Sequence, residues 1–107
     1  MRKEFFEFYN LSDCLAQLHE ECDELGSACS KYNRVVYGIG FISGCPFQKA
    51  HDNLIEEIAD VENYISAIKS LLNIDQKEID KIIEEKDDRT ARRIEESLRE
   101  GKKARNG

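Results

Sequence analysis

Apolar residues recur through the first third of the chain in alternating steps of four and three: Leu11, Leu15, Leu18, Cys22, Leu25, Cys29, Tyr32 and Val36. That is an uninterrupted heptad seam, and it predicts an amphipathic helix from Ser12, acting as N-cap, to Val36. A second seam of the same rhythm follows at Leu54, Ile58, Val61, Ile65, Ile68 and Leu72. It predicts a helix capped by Asp52 or Asn53 and reaching Leu72. Between them, Tyr37 to Phe47 holds three glycines and the only proline, which reads as a loop. The loop is long and apolar for a surface connection, and such loops carry function or lie under a partner. Asn73-Ile74 breaks the second helix, and Asp75-x-x-Glu78 offers a capping box for a third. That third helix carries Ile79, Ile82 and Ile83 and runs on through Ile94 and Leu98. Phe5-Phe6-Glu7-Phe8-Tyr9 adds a short helix at the front. The expected fold is all-α: a bundle of three to four helices with two long antiparallel ones, forming a single domain over residues 1–98. Residues 99–107 are expected to form a flexible basic tail.

Composition narrows the class further. One proline, no tryptophan and 36% charged residues suit a helical protein better than a sandwich or barrel. A chain of 107 residues makes one small domain. Such a domain buries only about two-thirds of its unfolded surface, so oligomerisation through helix packing is expected. No run approaches the roughly 20 apolar residues that cross a membrane, and no basic-then-apolar leader opens the chain. A soluble, cytoplasmic protein without a membrane partner is expected. Cys14, Cys22, Cys29 and Cys45 contain no CxxC, and Cys22 and Cys29 are spaced seven apart, as two buried positions on one helix would be. Small buried thiols account for them better than disulfides or zinc. The net charge of −6 is uneven. Residues 1–85 hold 8 basic and 17 acidic side chains, whereas residues 86–107 hold 8 and 5. An acidic body with a short basic end of mixed sign does not suggest nucleic-acid binding.

The acids are grouped. Glu20-Glu21-Cys22-Asp23-Glu24 lies on the first long helix and Glu56-Glu57-Ile58-Ala59-Asp60 on the second. Each contains an E-x-x-[ED] pair, Glu21/Glu24 and Glu57/Asp60, with both carboxylates on one helix face. All four sit one residue before a seam position, so antiparallel packing gathers them at one edge of the helix pair, half buried. Four like charges repel there, and burial raises the cost, so a divalent cation is the simplest compensation. Oxygen-only ligands favour Mg²⁺ or Mn²⁺ over zinc. A di-iron bundle would need Glu-x-x-His, which neither His19 nor His51 supplies. Ordinary solvated helix flanks are the alternative account of these acids. Downstream, Lys86, Arg89 and Arg93 lie on one helical stripe, and Lys31 lies two turns beyond Glu24. Cations near a carboxylate-metal centre suit a polyphosphate, although surface salt bridges also explain them.

The ordered string Leu18-His-Glu-Glu-Cys-Asp-Glu-Leu25, Ala28-x-x-Lys31-x-x-Arg34 and Asn53-Leu-Ile-Glu-Glu-Ile-Ala-Asp-Val61 resembles the MazG-like nucleotide pyrophosphohydrolases. These all-α NTP pyrophosphatases are related to the dimeric dUTPases and dCTP pyrophosphatases, and their signature is E-x-x-E on one helix and E-x-x-D on the next. The resemblance covers residues 11–94. It implies that Glu21, Glu24, Glu57 and Asp60 hold Mg²⁺ (or Mn²⁺) and that Lys31, Lys86, Arg89 and Arg93 meet phosphates. The glycine-rich insert at 37–47 departs from the pattern, as do Asp87, Asp88 and Thr90 where an Asn often lies between the Lys and the last Arg.

The function so implied is Mg²⁺-dependent hydrolysis of a nucleoside triphosphate to the monophosphate and pyrophosphate, by water attacking the α-phosphorus. Glu21 is then catalytic through the metal, and Glu20 (or Glu56) orients the water. Phe5, Phe8, Tyr9, Phe41 or Phe47 either stack on the base or belong to a core or dimer interface. A homodimer or dimer of dimers is expected, with the partner subunit completing the site. Two other classes compete: a non-catalytic helical nucleotide- or metal-binding module, and a structural oligomeric bundle whose acidic stripes aid solubility.

Overall fold

The computed structural model describes residues 2–38 and 47–101, and within them the chain is all-α. Its elements are α1 (Lys3–Phe8), α2 (Leu11–Tyr37), α3 (Phe47–Leu72) and α4 (Gln76–Arg99). The chain divides into two compact units, Met1–Asn73 and Ile74–Gly107, each described below by itself.

Local chemistry sets the ends of the helices. The cap of α2 is Asn10 rather than Ser12. Its side chain accepts a hydrogen bond from the Asp13 backbone N–H at 2.9 Å, and the Asp13 carboxylate accepts from the Asn10 N–H at 3.0 Å. This reciprocal capping box satisfies two orphan donors, whereas Ser12 has no acid three residues on. Gly38 ends α2 in the left-handed region at φ 66°, where glycine has no steric penalty, and its N–H donates to the Asn33 carbonyl. Phe47 already belongs to α3, so Asp52 and Asn53 lie inside that helix rather than at its cap. The side chain of Gln48 donates to Asp52 Oδ1 at 2.8 Å, one turn away. The rest of the expected loop, with Phe41 and Cys45, lies outside the described residues. Asn73 terminates α3 at φ 53°, a left-handed conformation that asparagine tolerates. Asp75 caps α4 by accepting from the Lys77 N–H at 2.9 Å.

In the first unit, α2 and α3 pack against each other. They are antiparallel: Tyr32 near the end of α2 meets Phe47 at the start of α3 with ring centroids 6.0 Å apart, while Glu21 meets Glu57 midway. The short α1 joins this pair through Phe5, whose ring lies 5.9 Å from that of Tyr64 on α3.

The side chains buried in this unit are small: Cys14, Ala28, Ala50, Val61 and Ala67. Small residues let two helices approach closely, and they place the contact stripe of α2 along Cys14, Leu18, Glu21, Leu25 and Ala28. The matching stripe of α3 runs along Ala50, Leu54, Glu57, Val61 and Tyr64. The packing is thus rotated toward the carboxylate side of both heptad seams. Leu15, Cys22, Cys29 and Val36 on α2, with Ile58, Ile65 and Leu72 on α3, are exposed, forming an apolar edge opposite the acids. Cys14 is the buried thiol expected from the spacing. Cys22 and Cys29 are free and exposed, which corrects their assignment to the core, because the contact stripe passes to the other side of them.

Gly26 sits in the middle of α2 on exposed surface, where an added Cβ meets nothing within 4 Å. Gly26→Ala should therefore stabilise the fold by about 0.5–1 kcal/mol, read from urea unfolding midpoints, through helix propensity alone. A loss of stability would mean that this stretch of α2 faces a neighbour.

The second unit is α4. Its apolar side chains Ile82, Ile83, Ile94 and Leu98 are about half exposed, and none of its residues is buried. It ends at Arg99, with Glu100 as C-cap, and residues 102–107 of the expected tail lie outside the described residues.

Candidate functional site

The carboxylates converge midway along α2 and α3. Glu21 lies on the contact stripe of α2 one turn before Glu24. Glu57 and Asp60 take the facing positions on α3. One oxygen from each of Glu21, Glu57 and Asp60 lies within 4.8 Å of the others, and all three side chains are half buried. Glu24 completes the set: its carboxyl hydrogen-bonds that of Glu57 and its charge is felt at both Glu57 and Glu21. Of the four acids expected to gather half buried, Glu21, Glu57 and Asp60 do so, whereas Glu24 is exposed beside them.

The electrostatics are unfavourable as they stand. Desolvation pushes the Glu21 carboxyl above its ordinary value of 4.5, and the charges of Asp60, Glu24, Glu57 and Glu20 push it further. Glu57 is raised in the same way, first by desolvation and then by Glu24, Asp60 and Glu56. The Glu24–Glu57 hydrogen bond adds to this, because it needs a proton on one partner. Glu21 Oε2 and Glu57 Oε2 are each shut off from solvent with no hydrogen-bond partner. A carboxylate oxygen in that state is costly unless a cation or proton meets it. Glu21, Glu57 and Asp60 together form an all-oxygen donor set, whose chemistry suits a hard divalent cation better than zinc.

The direction of these shifts sets a pH dependence. Both carboxyls bind protons more tightly folded than unfolded, so the folded state holds the extra protons between pH 4.5 and the raised values. Stability of the metal-free protein should therefore fall as pH rises through that window and recover on acidification. Melting of metal-free wild type from about pH 7 to about pH 5 should show the rise, and Glu57→Gln should flatten it. An unchanged slope in the variant would exclude carboxylate crowding as its source.

The remaining expected site residues are distributed as follows. Glu20 and Glu56 are exposed neighbours of the cluster. Lys31 is half buried on the same edge of α2 as Glu24, about 10 Å further along by helical rise. Lys86, Arg89 and Arg93 are exposed on α4, in the second unit, where Lys86 and Arg89 line a surface recess with Ile82, Glu85 and Arg92. Of the aromatics, Phe5 stacks on Tyr9 with centroids 4.5 Å apart, whereas Phe8 and Phe47 are exposed.

Tyr64 enters the site without having been singled out from the sequence. It follows Asp60 by one turn, and burial raises its phenol, with Tyr9, Glu21, Cys14 and Asp60 contributing. Its signal was available, since Glu57, Asp60 and Tyr64 share the spacing of one helix face.

No family model, curated protein or solved structure matches this chain. Among the described residues no helix is long and apolar enough to cross a membrane.

Proposed function

We propose that the protein is a Mg²⁺-dependent nucleoside triphosphate pyrophosphohydrolase, of the kind its E-x-x-E and E-x-x-D strings resemble. The observation that supports this most is the pair of orphaned, solvent-shielded oxygens of Glu21 and Glu57 within a cluster of acids drawn from two helices. When bound, the divalent ion supplies Lewis acidity toward phosphate oxygens and toward an attacking water. Glu21, Glu24, Glu57 and Asp60 hold it. In the reaction a water oxygen bonds to the α-phosphorus, the bond from that phosphorus to the α–β bridging oxygen breaks, and pyrophosphate leaves. Glu20 or Glu56, each exposed and next in sequence to a cluster acid, orients that water. Lys31 on the same edge supplies a cation toward the phosphates, and Lys86, Arg89 and Arg93 on α4 are the further phosphate-meeting residues that the resemblance implies.

The exposed apolar edge supports a homodimer or a dimer of dimers. Leu15, Val36, Ile58, Ile65 and Leu72 are exposed apolar side chains that a second copy would cover, leaving the acidic edge open to substrate.

Incubating the protein with each (d)NTP and Mg²⁺ and measuring pyrophosphate and monophosphate tests the reading. Equal amounts of the two products are expected. Release of orthophosphate instead would move the attack to the γ-phosphorus, and metal binding without turnover would leave a binding module.

A further inference from the structure

A cavity of about 530 Å³ opens beside α1, lined by Arg2, Glu4, Phe5 and Asn63. It is large enough for one small organic ligand and combines an aromatic ring with three different polar groups. Its α3 residue, Asn63, lies on the same helix as two acids of the carboxylate cluster, Glu57 and Asp60. Asn63 follows Asp60 by three residues, about 4.5 Å of helical rise. Phe5 touches Tyr64, and the Tyr64 phenol in turn senses Glu21 and Asp60.

We infer that this cavity binds the nucleoside part of the substrate whose phosphates are held at the carboxylate edge, so it rests on the function proposed above. Phe5 offers a ring face that Tyr9 and Tyr64 already hold in place, so stacking a base on it costs little side-chain entropy. The Asn63 carboxamide carries a donor and an acceptor together, which match the amide or amidine edge of a nucleobase. Glu4 and Arg2 supply an acceptor and donors for the sugar hydroxyls. The cavity thereby distinguishes nucleotides from bare polyphosphates, which could use only the metal and the basic residues.

The test is a titration of the full-length, isotope-labelled chain with nucleoside monophosphates in the absence of metal, followed by NMR, with ribose 5-phosphate as the control. The expected result is chemical-shift change at residues 2–5 and at the Asn63 carboxamide with at least one nucleotide and none with the control. Asn63→Ala, at an exposed position that leaves the packing untouched, should weaken binding about fivefold, the scale of one hydrogen bond. Phe5→Ala should weaken it about tenfold. Shifts confined to other residues, equal shifts with ribose 5-phosphate, no shifts at all, or undiminished binding by Asn63→Ala would each overturn the assignment. Pyrophosphate release measured in parallel separates the two proposals. Binding at the cavity without turnover removes the enzyme and keeps the pocket. Turnover with shifts elsewhere does the reverse.

Discussion

Glu21→Gln and Asp60→Asn should each lower pyrophosphate release by at least about a hundredfold, the scale on which one preorganised electrostatic group acts in a reaction centre. Both substitutions keep the size of the side chain and remove one negative charge from a set whose oxygens lie within 4.8 Å of each other. Both positions lie inside long helices, and the amides form helix nearly as well as the acids, so the far-ultraviolet circular dichroism should be unchanged. Glu20→Gln should cost less, because Glu20 is exposed and lies outside the group of three close carboxylates. Full activity in Glu21→Gln or Asp60→Asn would remove the cluster from the chemistry.

Metal should stabilise the fold, and the same substitutions should separate its two effects by sign. At a hundredfold excess over its dissociation constant, Mn²⁺ or Mg²⁺ contributes about 2.7 kcal/mol. In a domain of this size that raises the melting temperature by on the order of ten degrees. Glu57→Gln should abolish the response. In the metal-free protein the same variant should melt higher than wild type, because it removes a desolvated carboxylate that Glu24 and Asp60 repel. Opposite signs in the two conditions are the signature of a cluster that is held against its own repulsion for the sake of a cation. If Glu57→Gln destabilised the metal-free protein, these acids would be serving the packing instead. No response of wild type to either ion would favour a structural bundle.

Much of this arrangement was legible in the chain. The alternating steps of four and three foretold both long helices, and antiparallel pairing across one loop was enough to bring Glu21, Glu57 and Asp60 together. The helix starts were less legible. Asn10 and Ser12 are both good caps, and only the reciprocal bond from Asp13 decides between them. Phe47, at the end of the expected loop, and Asp52 and Asn53, the expected caps, all lie inside α3, where Gln48 and Asp52 pair across a turn.

The side of each seam that makes the contact was the larger surprise. A heptad repeat marks an apolar stripe without saying which flank of it meets a neighbour. Here Ala28, Ala50 and Ala67 are buried and Leu15, Ile58 and Leu72 are not. Alanine carries little hydrophobic signal in a sequence, yet it permits the closest backbone approach. Large residues such as Leu15, Ile58 and Leu72 therefore remain exposed.

Periodicity and cap chemistry, being local, determined from the sequence alone that this chain is helical, where most of its helices lie, and that its acids recur on one side of two of them. The tertiary structure alone decided the rotation of α2 against α3, and with it the desolvation of Glu21 and Glu57. It also decided the approach of α1 that brings Phe5 onto Tyr64 and forms an open recess with Asn63. Those features depend on how far apart two helix axes lie and which way each is turned, quantities set by the sum of all the side chains between them.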